Sequence, residues 1–208
     1  MKNFELNEKY YIIFLGDTMN YKITVAVSNR HVHLTKEDAD ILFGSDYNFK
    51  IKKPLSQTGQ YAYKEVVTLK TDKNKIENVR ILGPVRKYTQ VELSKTDSAL
   101  LGLNPPLRDS GDLKNSEKIT IIGPKGEIEA KESVIIAHRH IHMNEKDVKF
   151  FGVKNNDLVS VKVSGIRGGI FNNVRIKEDT SYVLEMHIDR DEANAFDIKN
   201  NDLVEIIK

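Results

Sequence analysis

No cysteine occurs among the 208 residues. Disulfides, thiolate metal ligands and a catalytic thiol are therefore excluded, and any bound metal must rest on His, Asp or Glu. The thiol-free composition agrees with a cytoplasmic location. Tryptophan is also missing. No apolar run approaches the ~18 residues of a membrane span, so no membrane partner is expected. A strong charge of one sign is lacking as well. Lys and Arg number 32 against 30 acids, for a net charge of +2. The basic residues are spread along the chain, which argues against a nucleic-acid face. The longest apolar run near the N-terminus, Tyr10-Tyr11-Ile12-Ile13-Phe14-Leu15, is short for a signal core, follows acidic residues and has no clear cleavage site. Residues 1–20 are read as an N-terminal extension, a poorly ordered lead-in or extra surface segment, and Met19 as an alternative start.

Histidine is confined rather than absent, and its placement carries information. The six histidines fall in three places: Asn29-Arg30-His31-Val32-His33-Leu34, His138-Arg139-His140-Ile141-His142-Met143, and His187. The first two are near-copies, and the copying extends around them. Ile23-Thr24-Val25-Ala26-Val27 and Ser133-Val134-Ile135-Ile136-Ala137 both read as short strands entering the His pair. Thr35-Lys36-Glu37-Asp38 and Asn144-Glu145-Lys146-Asp147 both read as helix starts close to a capping box, ending near Gly44 and Gly152. Asn78-Val79-Arg80-Ile81 matches Asn173-Val174-Arg175-Ile176. Carrying that offset forward sets Glu92 opposite His187. The His pairs have a larger offset, which implies an insert in the first half at about 45–64. A second insert surrounds Pro105-Pro106-Leu107-Arg108-Asp109-Ser110-Gly111-Asp112. Short strands, Gly-Pro turns and few helices predict a mainly β protein with two pseudo-symmetric β-barrels or sandwiches and small capping helices, built by internal duplication.

In an extended strand, residues i and i+2 face the same way. His31 and His33 can therefore converge, as can His140 and His142. The repeat supplies a third donor to each pair, Glu92 in one half and His187 in the other. Such three-ligand sets suit a catalytic metal with an open position, and imidazole-rich donors favour Zn, Co, Ni or Fe over Mg. His138, opposite Asn29, reads as structural or as a support behind the ligands rather than as a ligand. Two open metals could grip a phosphate-like group and polarise an adjacent oxygen. Arg86, after the Gly83-Pro84 turn and six residues before Glu92, is the most suggestive nearby cation, with a fork suited to phosphate; the alternative is a surface arginine beside Lys87. The 108–112 segment is either a ligand-ordered loop or plain surface.

Ser28-Asn29-Arg30-His31-Val32-His33-Leu34, Leu82-Gly83-Pro84-Val85-Arg86, Arg108-Asp109-Ser110-Gly111-Asp112, Arg139-His140-Ile141-His142-Met143 and Glu185-Met186-His187-Ile188-Asp189 together resemble the propanediol-utilisation phosphotransacylase (phosphate propanoyltransferase) family, from about Tyr21 to Ala195. The resemblance implies two β-barrels with crossed connectivity: residues 21–29 with 138–208 in one, 30–137 in the other. It implies two zinc ions in one cleft, one on His31, His33 and Glu92 and the other on His140, His142 and His187. It implies phosphate held by Arg86, the catalytic residue, with Ser110 close by. It implies a coenzyme A channel lined by Ser28, Lys53, Arg80, Leu82, His187 and Asn194. The implied reaction joins a short-chain acyl-CoA (propanoyl or acetyl) and phosphate to give acyl phosphate and CoA, by direct transfer at a dinuclear site. Members of the family occur free in the cytoplasm or inside a bacterial microcompartment, so homo-oligomeric or microcompartment association is a further expectation. The competing readings are a dinuclear metal-dependent hydrolase of a phosphoester or amide and a non-catalytic metal-bound binding module.

Overall fold

The structure is a computed structural model that describes the backbone of residues 11–15 and 18–207 and the side chains of residues 22–207. Its strands are β1 (Tyr11–Leu15), β2 (Thr18–Ser28), β3 (His31–His33), β4 (Ile51–Pro54), β5 (Tyr61–Lys70), β6 (Lys75–Gly83), β7 (Gln90–Glu92), β8 (Leu107–Arg108), β9 (Glu117–Ile122), β10 (Glu127–Ala137), β11 (His140–Met143), β12 (Leu158–Val163), β13 (Gly169–Glu178), β14 (Glu185–Asp189) and β15 (Leu203–Ile207). Four short helices intervene: α1 (Lys36–Phe43), α2 (Lys95–Leu101), α3 (Glu145–Phe151) and α4 (Arg190–Phe196). The fold is mainly β, with two closed six-stranded barrels.

The chain divides into two compact units. One runs from Asn29 to Ala137; the other combines the residues up to Ser28 with those from His138 onward. In the discontinuous unit, the strand order β2-β14-β11-β13-β12-β15 is closed by a β2–β15 pairing. In the continuous unit, β10-β7-β3-β6-β5 is closed by β9, which pairs with both β10 and β5. The two circuits match strand for strand and direction for direction. β3 and β11 run parallel to β6 and β13 and antiparallel to β7 and β14. The strand entering each His pair lies in the barrel that does not contain that pair: β2 leads into β3 yet pairs with β14 and β15, and β10 leads into β11 yet pairs with β7 and β9.

Each barrel buries one apolar core. Ile23, Val25, Ile141, Phe171, Val174, Ile176 and Met186 fill one. Val32, Leu69, Val79, Ile81, Val91 and Ile121 fill the other. On β6 the inward residues are Ile76, then Val79 and Ile81. A step of three breaks the two-residue alternation that a regular strand requires. The break coincides with Asn78, whose φ is +60°, and with a register shift against β5. β13 repeats the device: Phe171, then Val174 and Ile176, with Asn173 at φ +57° and a shift against β12. A bulge adds one residue, and here that residue takes a left-handed backbone, which asparagine tolerates better than most residues. The duplicated Asn-Val-Arg-Ile therefore marks a bulge and the two core positions after it.

Thr35, Ser94, Asn144 and Asp189 cap the four helices. Full capping boxes form at Asn144/Asp147 and Asp189/Glu192. At α1 the acid expected in that role, Asp38, instead accepts the Thr89 hydroxyl. The insert expected at 45–64 contains β4 and the start of β5, a hairpin paired from Ile51↔Tyr63 to Pro54↔Tyr61 with a register shift between Ile51 and Lys53. Residues 11–15 of the expected lead-in form β1, which pairs antiparallel with residues 18–22. The remainder of that reading, residues 1–10 and 16–17, lies outside the described residues.

Candidate metal sites

Val32 points into its barrel core, so His31 and His33 point away from it; Ile141 does the same for His140 and His142. The neighbouring antiparallel strand completes each site. His31 is in register with Glu92 and His33 with Gln90. His140 is in register with His187 and His142 with Glu185. Directly opposed residues share a face of the sheet. Each site is therefore a square of four side chains on two adjacent rungs, one rung built by each pair.

The donor atoms of His31, His33 and Glu92 lie within 4.8 Å of one another, as do those of His140, His142 and His187, so each group could hold a metal ion. In the first, His31 Nε2 is 3.5 Å from Glu92 Oε2, and the His31 and His33 rings meet edge to face at 5.0 Å. In the second, His140 and His187 stack with centroids 5.1 Å apart, and His142 lies 4.6 and 4.5 Å from them. Tyr182 stacks on His142 at 4.0 Å.

The protonation pattern fits a cation. His31 Nδ1 donates to the Asn29 carbonyl at 2.9 Å, His33 Nδ1 to the Leu82 carbonyl at 3.2 Å, and His140 Nδ1 to the His138 carbonyl at 2.7 Å. A carbonyl only accepts, so each neutral ring carries its proton on Nδ1 and turns the Nε2 lone pair toward the site. Burial, reinforced by the His31 and Arg86 charges, holds His33 well below its ordinary value. Burial, then His187, Lys177 and His142, does the same to His140. At His31 burial also acts downward, but the Glu92 charge and hydrogen bond override it and the value is raised. Two of these imidazoles are thus kept in the neutral form that binds metal, and the third faces a carboxylate.

Arg86 approaches the first site through a hydrogen-bonded chain. Its guanidinium donates to Ser110 Oγ at 3.2 Å. Gln90 Nε2 donates to the same Oγ at 2.9 Å and to Glu92 Oε1 at 2.6 Å, while Gln90 Oε1 accepts from the Gly111 amide at 2.8 Å. The 108–112 segment is thereby tied to the His31–His33–Glu92 group. Arg86 is half-buried and Ser110 exposed, which leaves a polar approach to the fork.

The residues expected to line a coenzyme A channel divide between the units. Arg80 and Leu82 are on β6, two residues apart and beside β3. The Arg80 guanidinium donates to the Tyr63 and Lys64 carbonyls at 3.0 and 2.6 Å, so part of its capacity braces β5. Exposed Lys53, on β4, occupies the row that runs through Ala62 to Leu82. Ser28 ends β2 in register with Asp189, the cap of α4, and exposed Asn194 is on α4 itself.

Four side chains of these sites were not singled out by their sequence pattern. Gln90 and Glu185 occupy equivalent repeat positions, each two before the third ligand, and the same-face rule reaches them once that ligand is known. Arg30 pairs with Asp97 at 2.7 Å and Arg139 with Glu192 at 2.8 Å, each joining the start of a ligand strand to the first turn of a helix.

The sequence model of the family described as phosphate propanoyltransferase matches residues 24–199. A Thermotoga maritima protein named phosphate propanoyltransferase is 54% identical over 170 residues, 81% of this chain and 81% of that protein. Proteins of the same name from Rhodobacter capsulatus and Salmonella typhimurium are 49% and 47% identical, covering 83% and 85% of this chain and 80% and 84% of their own lengths.

Proposed function

The chain belongs to the phosphate propanoyltransferase family, and on that premise we propose that it interconverts a short-chain acyl-CoA and phosphate with an acyl phosphate and free CoA, by direct transfer at two metal sites. The observation that supports this reading is the hydrogen-bonded chain Arg86–Ser110–Gln90–Glu92, which links a guanidinium to the His31–His33–Glu92 group. His31, His33 and Glu92 would hold one divalent ion and His140, His142 and His187 the other; Zn, Co, Ni or Fe suits the donors. Bound there, a metal supplies Lewis acidity and offsets negative charge.

The protein's own part is placement. Arg86 holds two phosphate oxygens in a fork while the Ser110 hydroxyl bonds a third. Ser28, Lys53, Arg80, Leu82 and Asn194 are the proposed contacts of coenzyme A, with His187 at its thiol end. A phosphate oxygen attacks the thioester carbonyl carbon, the carbonyl oxygen takes up the negative charge, and the C–S bond breaks with the electron pair leaving on sulfur. The acyl group moves to phosphate without a protein-bound intermediate. Fixing both reactants at contact distance supplies the proximity contribution. Arg86 also offsets charge as it develops. The hydrolase alternative is not favoured, because these relatives carry a transferase name.

The deciding experiment incubates metal-replete protein with propanoyl phosphate or acetyl phosphate and CoA and follows thioester absorbance, with a chelator-treated control. Thioester formation that disappears on chelation supports the reading. No thioester from either acyl phosphate, with two ions bound, would overturn it. The same assay ranks the acyl chains, for which one methylene contributes only ~1–3 kcal/mol of discrimination.

A further inference from the structure

The two squares of side chains differ at two corners. In the continuous unit the β7 rungs are Gln90 and Glu92; in the discontinuous unit the β14 rungs are Glu185 and His187. The carboxylate has moved one rung along the strand, and each square keeps one carboxylate. Glu185 is buried, 6% exposed. Its Oε2 is 3.2 Å from Nε2 of His187, and it stands in register with His142. It therefore touches one member of the three-histidine group and faces another. A carboxylate taken out of water here costs free energy unless a cation or proton donor compensates it. The equivalent position shows what a neutral side chain does instead: Gln90 spends its amide on Glu92, Ser110 and Gly111.

We propose that Glu185 is a working member of the His140–His142–His187 site, a positioning residue that supplies that site's one negative charge and holds His187 for a divalent cation. This rests on the metal reading given above. The role explains the exchange of corners: where the third ligand is Glu92 the charge comes with the ligand, and where it is His187 the charge is supplied by the residue two before it. Partners of this kind typically strengthen metal affinity 10- to 100-fold.

The test uses cobalt(II) alone as probe, with His33→Ala in the background so that the three-histidine site is titrated by itself. His33→Ala is expected to bind one cobalt ion with a d–d absorption band. Adding Glu185→Gln, which keeps the shape and removes the charge, is expected to weaken that binding at least 10-fold and to shift the band. Glu185→Asp, which keeps the charge, is expected to restore affinity to within a few-fold of the background and serves as the decisive comparison if the Gln variant does not fold. Unchanged affinity in the Gln variant, or an Asp variant as weak as the Gln one, would overturn the role of Glu185 and leave the metal reading standing. Failure of the His33→Ala background to bind cobalt would overturn both.

Discussion

Among single residues, Arg86 has the clearest separation of roles. Its guanidinium meets Ser110, while its backbone amide donates to the Leu34 carbonyl at 2.8 Å, which holds the main chain whatever the side chain is. Arg86→Ala should therefore keep both metals and the fold and lose turnover by 100-fold or more, a magnitude usual for loss of a charge-stabilising donor. Arg86→Lys, which keeps the charge but lacks the fork, should fall between. Normal turnover in the Ala variant, measured beside metal content, would remove Arg86 from the phosphate site. The histidines make a second prediction. His33 and His140 have folded values well below the ordinary 6.5. Below pH 6.5 the unfolded chain therefore takes up protons that the folded chain refuses. Stability of metal-free protein should fall on acidification through that range, by up to about 1.4 kcal/mol per pH unit for each group. His31, whose value is raised, contributes stability that is complete below pH 6.5 and lost as pH climbs through its folded value, so it leaves the acid slope unchanged. Urea unfolding of chelated protein between pH 7.5 and 5 measures this; a flat profile below 6.5 would refute it.

Among the elements, the bulged strands β6 and β13 repay most attention. Asn173 has its left-handed backbone at the point where β13 changes which residues face the core. Asn173→Ala should cost about 1 kcal/mol, because alanine keeps the Cβ that disfavours this region and loses the short polar side chain that lets asparagine tolerate it, and Asn173→Gly, which removes the Cβ, should cost much less, with Asn78 behaving alike; equal losses from Ala and Gly in thermal unfolding would show that the left-handed backbone is not what sets the cost. The same strands show how far the sequence speaks for itself. The two His-X-His pairs and the two Asn-Val-Arg-Ile blocks are long enough to reveal a duplication, and the offset between them led to Glu92 and His187, the residues that the structure brings to the His pairs. The capping residues Thr35 and Asn144 are likewise local signals. Gln90 and Glu185 escaped because an amide or a carboxylate in a strand is an ordinary residue until its register partner is known. The pairing of β2 could not be read from Ile23–Val27, since an apolar strand carries no mark of which distant edge it will join; only family resemblance pointed there. The hairpin at 45–64 looked like an insert because it lacks a counterpart to align, not because it lacks structure.

For the molecule as a whole, the two barrels are unequal in how the chain supplies them. Every strand of the continuous unit falls between Asn29 and Ala137, whereas the other barrel needs β2 as well as everything from β11 onward. A fragment of residues 29–137 should fold and bind one divalent ion. A fragment of residues 138–208 should stay unfolded until a peptide carrying β2 is added. Circular dichroism and metal titration of the two fragments check this, and a folded 138–208 fragment without β2 would contradict it. The reach of β2 also bears on synthesis. The Val27 amide donates to Asn200 Oδ1, 173 residues further along. At the usual pace of translation, about 5–20 residues per second, β2 leaves the ribosome on the order of ten to thirty seconds before that partner exists. During that interval β1 can pair with residues 18–22 alone, and the apolar stretch Ile23–Val27 is an open edge in a crowded cell. An unpaired apolar strand in a nascent chain is the kind of surface that aggregates and that chaperones cover, and β2 is such a strand until β14 and β15 have been made.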